Sequence, residues 1–351
     1  MEGLKNKKSQ LIGIGIMIAL MVLTISQVLK GESVSSIIAT LRSVKPVYIL
    51  VSIVMMLIYA SFEGLNIWLI LKGLKQKTSL LNCIGYGFVG FYFSSITPSA
   101  SGGQPAQVYF MKKNGVSVTS SSLSLMLILF THQLVVVLYA FIGLVLKINI
   151  GGSHLANTIL LAFGFITNIL LLIAIVMLVY WPSLVFKILN FFGILLHRIR
   201  IIKNKEKIEK KISNSVQEYE RGAIYMRNNP GLIIKVTLLT IVQISFLYLV
   251  PYVIYKGFGL SNYSVVDLVF VQAILNIAVS SLPLPGGVGA SESLFLGMFS
   301  VFYGKKLLIP GMLLTRISNF YSVLIISGII SLAMYIWPHE PVNINFTEKK
   351  D

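Results

Sequence analysis

The chain has 351 residues, 56% apolar and 12% charged, with a formal net charge of +17 and a mean hydropathy of +0.83. A soluble domain of this length has no means of hiding so much apolar surface, so the composition excludes one. The basic excess would suggest nucleic acid in a soluble protein, but here Lys and Arg cluster in loops beside apolar runs, a pattern that the positive-inside rule and anionic lipid headgroups explain.

Lys5, Lys7 and Lys8 precede an apolar run over 11–29 with no cleavage site behind it. This predicts a first membrane helix with a cytoplasmic N-terminus, not a signal peptide. Residues 32–45 read as an amphipathic outer segment, and 47–71 as a second helix ending at Lys72, Lys75 and Lys77. The lone Cys83 lies in the next apolar run, which excludes an intramolecular disulfide and suits a small buried filler. That run, 80–96, stops at a Pro/Gly-rich break. A segment at 105–111 follows it, far too short to cross alone. Long helices are expected at 119–146 and 155–180.

The polar region 182–230 divides into an apolar interfacial part and a charged amphipathic cytoplasmic helix over 203–227, with Ile208, Ile212, Tyr219, Ala223 and Met226 at helical spacing. Further spans follow at 232–255 and 307–337, separated by a second broken unit over 265–303.

The two breaks share a chemistry. The first reads Ser94-Ser95-Ile96-Thr97-Pro98, then Gly102-Gly103-Gln104-Pro105-Ala106-Gln107; the second reads Ser280-Ser281-Leu282-Pro283-Leu284-Pro285-Gly286-Gly287-Val288-Gly289-Ala290-Ser291-Glu292. Non-helical backbone cannot face lipid, and a matched pair of such breaks points to a substrate site in a transporter built from repeats.

Charge counting sets the topology. If the first unit crossed the membrane, Arg198, Arg200, Lys203, Lys205, Lys207, Lys210 and Lys211 would lie outside; as a re-entrant hairpin it keeps them cytoplasmic. Lys256, Lys305 and Lys306 then fall outside, a mild penalty. The expected fold class is an all-α polytopic membrane protein, with about six full transmembrane helices and two re-entrant broken-helix hairpins in an inverted repeat. It forms a single membrane domain over 1–351. Repeat 1 spans about 47–147 with a hairpin at 80–113, and repeat 2 about 231–337 with a hairpin at 265–303.

Each hairpin's second half-helix begins at its break, where unpaired N–H groups attract an anion such as phosphate. Pro105 suits a first helical position. The candidate substrate-binding residues are Ser95, Pro98, Gly102, Gly103, Gln104, Gln107, Pro285, Gly286, Gly287, Gly289, Glu292, Arg316 and Glu63. Arg316 lies too deep in its helix to snorkel; it suits either a phosphate grip or an ion pair with Glu292. Glu292 suits an ammonium, that pair, or a helix cap, and Glu63 a proton, a headgroup or a structural hydrogen bond. The glycines alternatively serve only close helix packing. His132 reads as a helix contact or a proton relay, and Asp267 as a cap. Gln272, Asn276 and Asn319 add polar atoms to apolar helices. No nucleophile elbow, P-loop or metal-spaced His pair is present, so no catalytic residue, metal or cofactor is expected.

The stretch from Gly85 to Gln107, the run from Pro283 to Glu292, and Arg316 together resemble the lysylphosphatidylglycerol synthase transmembrane, or flippase-like, family. The chain is similar throughout to the N-terminal membrane half of bacterial multiple peptide resistance factor proteins. The resemblance implies re-entrant helices around a lipid-holding cavity and movement of aminoacylated phosphatidylglycerol, or a similar anionic or zwitterionic lipid, to the outer leaflet. It also implies a multi-pass protein of the bacterial cytoplasmic membrane with cytoplasmic termini, membrane phospholipids as partners, and resistance to cationic peptides. The soluble synthase half of those proteins has no counterpart after Trp337, so aminoacyl transfer from lysyl-tRNA is not expected of this chain. The alternative is a phosphatidylglycerol lysyltransferase or its membrane subunit, with a separate transferase as partner; nucleic acid enters only on that reading. A homo-oligomer is compatible with either.

Overall fold

The computed structural model describes residues 34–147, 155–181 and 227–336, with short pieces within 183–191 and at 224–225. The predicted first helix at 11–29, most of the 182–230 segment including its charged helix, and the tail lie outside the described residues.

Every regular element among the described residues is helical. In chain order these are α1 Val34–Ser43, α2 Pro46–Gly73, α3 Leu80–Ser95, a turn at Pro98–Ala100, α4 Gly103–Lys113, α5 Val118–Val145 and α6 Leu155–Tyr180. Then come α7 Pro230–Gly257, α8 Val265–Ser280, a turn at Pro285–Gly287, α9 Ala290–Met298, α10 Ser300–Arg316, a π segment Ile317–Tyr321, and α11 Ser322–Ile336. Starts are marked by local chemistry. Pro46 and Pro230 open α2 and α7, where a missing N–H costs nothing. Ser79 and Ser117 accept the Asn82 and Ser120 N–H groups at 3.1 Å each. Asp267 caps α8 as expected, its carboxylate accepting from the Ser264 N–H at 2.8 Å.

Five described helices are long and apolar enough to cross a membrane: Pro46–Gly73, Val118–Val145, Ile159–Leu178, Pro230–Gly257 and Ser300–Ile336. The last is interrupted at Gly304, where φ is 63° and ψ 171°, a break the sequence reading placed only as a boundary near 303–307. Large apolar side chains face outward: Ile159, Phe163, Ile166 and Leu170 on α6, and Ile325, Ile329 and Leu332 on α11. Outward apolar faces of this extent are lipid-contact surfaces. The chain is an all-α polytopic membrane protein.

The α2–α7 pair forms the frame. Asn66 donates to Gln243 Oε1 at 3.1 Å, the Phe62 and Phe246 rings are 5.9 Å apart, and Gly257 packs against Tyr48. At the other end Gly73 faces Leu232, so the two helices run antiparallel. Their C-terminal ends therefore lie at opposite ends of the bundle, and each leads into one of the hairpins. In the first hairpin α4 folds back along α3: Gln107 Nε2 donates to the Tyr86 carbonyl at 3.1 Å and Asn114 Nδ2 to the Tyr86 hydroxyl at 2.9 Å. In the second, Phe302 returns to Tyr263, ring centroids 4.7 Å apart. The hairpins thus hang from opposite ends of the α2–α7 frame and point toward one another. Hairpin 1 approaches α2 closely at Gly64, where a Cβ would overlap the Ile84 backbone.

Candidate functional site

The hairpin tips meet across a small apolar seam of Ile96, Val288, Phe320 and Leu324. Beside it lies a cavity of about 310 Å³. Met56 and Tyr59 from the middle of α2, and Leu247 from the middle of α7, form part of its wall, which places it at half-depth in the bundle. The tips contribute Ser94, Ser95, Ser99 and Ala100 from one side, and Leu284, Gly286, Gly287 and Ser291 from the other. Arg316 and Asn319 enter from the last long helix and Gln272 and Asn276 from α8. A cavity of this size, apolar with a few converging polar groups, accommodates a headgroup-sized ligand.

Arg316 ties the second tip together. Its Nε donates to Glu292 Oε1 at 2.7 Å, its Nη2 donates to the Gly286 carbonyl at 3.2 Å, and its guanidinium lies 4.4 Å from the Phe320 ring centroid. The arginine side chain is 11% exposed and the Glu292 side chain 4%, so this is a buried pair in which each charge cancels the other. Glu292 Oε2 also accepts the Gly289 N–H at 2.7 Å, closing the first turn of α9. Glu292 thus acts as ion-pair partner and cap together, two roles the sequence left as alternatives.

The backbone at both tips is held in uncommon conformations. Gly286 has φ 58°, and a Cβ there would overlap the Phe320 ring. Across the cavity Ser99 and Ala100 have φ 51° and 54°, a region that costs non-glycine residues roughly 1–2 kcal/mol each. The π segment begins directly after Arg316 and carries Asn319 and Phe320. Such bulges re-aim side chains and recur at functional sites.

A buried amide chain fixes the end of α8. Gln133 on α5 donates to Asn168 Oδ1 at 2.8 Å, and Asn168 on α6 donates to the Ile277 carbonyl at 3.1 Å and the Ser281 hydroxyl at 2.9 Å. These bonds set where α8 stops and the second tip begins.

Of the candidate residues, Ser95, Gly286, Gly287 and Arg316 line the cavity. Glu292 and Gly289 support it through the bonds just described. Pro98, Gly102, Gly103, Gln104, Gln107, Pro285 and Glu63 are not among its lining residues. Gln107 is buried between α3 and α4, Gly103 packs against Ser94, and Gln104 is exposed. Pro105 is the third residue of α4, two positions later than expected, because the helix already begins at Gly103. The half-helix N-termini are also less bare than anticipated: Thr97 Oγ1 accepts the Gly102 N–H at 2.8 Å, as Glu292 accepts that of Gly289. Arg316 is therefore the principal positive group at the cavity. Glu63 Oε2 accepts from Gln243 Nε2 at 3.1 Å, in a chain that continues to Asn66 and Thr240 and joins α2 to α7. Gln272 and Asn319, which the sequence showed only as polar residues in apolar helices, line the cavity, and Thr315 and Ser291 were not singled out at all.

Comparison with known proteins agrees with this architecture. A "UPF0104 membrane protein" of Archaeoglobus fulgidus is 25% identical over 268 residues, 72% of this chain and 79% of that protein. Residues 10–327 match the family described as the lysylphosphatidylglycerol synthase TM region, a stretch that takes in both broken hairpins and Arg316, and the chain belongs to that family.

Proposed function

We propose that the protein moves a phospholipid between the two leaflets of its membrane, the headgroup crossing through the cavity between the hairpin tips while the acyl chains stay in the bilayer. The observation that carries this reading is the meeting of two broken-helix tips, entering from opposite ends of the α2–α7 frame, at a half-depth cavity that holds a buried arginine. The two hairpins and their long helices constitute an inverted repeat, with units at about 47–147 and 231–337. Rocking of one unit against the other exposes the cavity to each leaflet in turn. Arg316 has one guanidinium edge engaged by Glu292 and Gly286, and the remaining N–H groups are available to a phosphate oxygen.

By the family resemblance the lipid is an aminoacylated phosphatidylglycerol or one of similar headgroup, and the setting a bacterial cytoplasmic membrane. The basic end of the bundle, with Lys72, Lys75, Lys77, Lys112 and Lys113, then faces the cytoplasm together with both termini. Translocation of fluorescent phospholipids in liposomes tests the proposal directly. Purified wild-type protein is expected to expose inner-leaflet lipid to an external quencher, and Arg316→Ala, verified as folded by its elution and melting, to lose that activity. Wild-type rates in a folded Arg316→Ala protein would overturn the role of the arginine, and protein-free rates in the wild type the function itself.

A further inference from the structure

Glu63 lies deep in α2, ten residues before its end and so about 15 Å from it. Val47, Val51 and Val54 form the exposed, lipid-facing stripe of that helix. Glu63 is nine positions beyond Val54, which is two and a half turns, so it points to the opposite side, into the bundle. There a Cβ on Gly87 of α3 would touch its Cβ at 3.2 Å, and Gln243 of α7 donates to its Oε2 at 3.1 Å. Tyr59, Phe91 and Leu247 line the cavity, and Glu63, Gly87 and Gln243 stand four residues from them on the same three helices, all toward the Gly73 end of α2. The carboxylate therefore sits one helical turn, about 5.4 Å, behind the cavity wall.

Among the described residues Glu63 forms no ion pair. Its titratable neighbours are Tyr59 on its own helix and His132, which follows Thr131 on α5. Tyr86 of α3 and Tyr248 of α7 have their hydroxyls engaged by Asn114 and Asn276. Arg316 and Glu292, at the second hairpin tip, cancel each other. Glu63 is thus a half-buried carboxylate without a compensating cation, at a depth where uncompensated charge is costly. An anionic headgroup at Arg316 adds a second negative charge to this interior, and a proton on Glu63 removes the first. Two unit charges about 10 Å apart, at an effective dielectric constant of about 20, repel enough to change affinity about tenfold. By linkage, headgroup and proton each favour the binding of the other by the same factor.

We propose that Glu63 is a proton site coupled to the lipid: an anionic headgroup enters together with a proton on Glu63, and the electroneutral pair crosses together. The carboxylate takes the proton from water as the headgroup arrives and returns it as the headgroup leaves; no other bond is made or broken. This rests on the translocation reading and adds what drives it.

Equilibrium binding of fluorescent phosphatidylglycerol to the detergent-solubilised full chain, from about pH 8 to about pH 4.5, tests the linkage across the range in which carboxylates and histidine titrate. Wild-type affinity is expected to rise up to about tenfold as the pH falls, and affinity for phosphatidylcholine, which has no net charge, to change little. No rise for phosphatidylglycerol, or an equal rise for both lipids, overturns the proposal without reference to any variant. Glu63→Gln keeps an acceptor for Gln243 and carries no charge. It should bind phosphatidylglycerol at pH 8 about as tightly as the wild type does at the acid end, and gain nothing on acidification. A merely structural carboxylate predicts the opposite, weaker binding at every pH. His132→Gln should keep the wild-type pH dependence, whereas a folded Glu63→Gln protein that keeps it overturns the proposal. In liposomes with an imposed pH gradient, phosphatidylglycerol is expected to accumulate, relative to protein-free vesicles, in the leaflet facing the alkaline side. The two readings fail separately. Active translocation with an even distribution overturns the coupling and leaves transport standing; pH-linked binding without translocation overturns transport and leaves the linked site standing.

Discussion

The Arg316–Glu292 pair allows a test that separates holding the fold from holding the lipid. Replacing Arg316 by Met leaves the Glu292 carboxylate, 4% exposed, with the Gly289 N–H as its only remaining hydrogen bond. Breaking a buried pair from one side costs about 3–5 kcal/mol, because the surviving charge is stranded. Replacing Glu292 by Gln strands the guanidinium instead, but Gly286 and Phe320 still meet it, so the loss should be smaller, about 2–3 kcal/mol. The double variant Arg316→Met/Glu292→Gln leaves no charge in the pair, and the amide oxygen introduced at position 292 can still accept from Gly289. Its loss should be about 1–2 kcal/mol, less than that of either single change, which corresponds to a coupling of about 3–7 kcal/mol. Unfolding in mixed detergent micelles measures all four corners of the cycle, and the liposome assay is run on the same preparations. The double variant should be well folded yet inactive, since it has lost the cation that meets the phosphate. Additive losses would refute the buried-pair argument, and an active double variant would refute the assignment of Arg316 to the lipid.

Other predictions follow from the geometry of the tips and of the frame. Gly286→Ala should lower stability by about 1–3 kcal/mol through positive φ and the Phe320 overlap, whereas Ala100→Gly should raise it by up to about 1 kcal/mol, both read by unfolding in micelles. Asn168→Leu removes the donor to the Ile277 carbonyl and the Ser281 hydroxyl, so it should cost about 1–3 kcal/mol and speed amide hydrogen exchange around residues 278–282. In a Cys83→Ser background, Lys77→Cys and Asn262→Cys, at the roots of the two hairpins, should be labelled by a membrane-impermeant thiol reagent from opposite faces of the membrane; labelling from one face would exclude the opposed arrangement.

The helices were legible because length and apolarity suffice to mark a membrane span. The ends of α3 and α4 were legible because Ser79, the Pro98 break and the lysines that close α4 are all local signals. The start of α8 and the turn before α9 were legible for similar reasons, through Ser264, Asp267 and the Pro285-Gly286-Gly287 turn. The faces of the helices were not. A helix buried in a bundle and in lipid is apolar all round, so periodicity does not say which side meets a cavity. That is why Gln107 reads in sequence as a site residue and Asn319 only as a polar residue in an apolar helix, although the first locks α4 onto α3 and the second lines the cavity. Gly103 and Gly286 show the same limit: the first makes room for Ser94 and the second supports a left-handed turn, and only the packed structure distinguishes them. The π segment left no trace in sequence because it is a register shift imposed on an ordinary helical run.

The pairing of Arg316 with Glu292 also bears on how a translocator must bind. An unpaired guanidinium at half-depth would cost several kcal/mol in the empty site and would hold an anionic headgroup too firmly to release it. The carboxylate 2.7 Å away removes most of that cost and most of the long-range attraction. What remains for the lipid is directional: the guanidinium N–H groups that Glu292 and Gly286 leave unengaged, for a phosphate oxygen. Binding by geometry instead of net charge suits a site that must accept a headgroup from one leaflet and yield it to the other, where affinity has to be enough to enter and weak enough to leave. On the proposed reading, Glu292→Gln should therefore bind anionic phospholipid more tightly than the wild type in native mass spectrometry and translocate it more slowly. Tighter binding with faster transport would show that capture, and not release, limits the cycle.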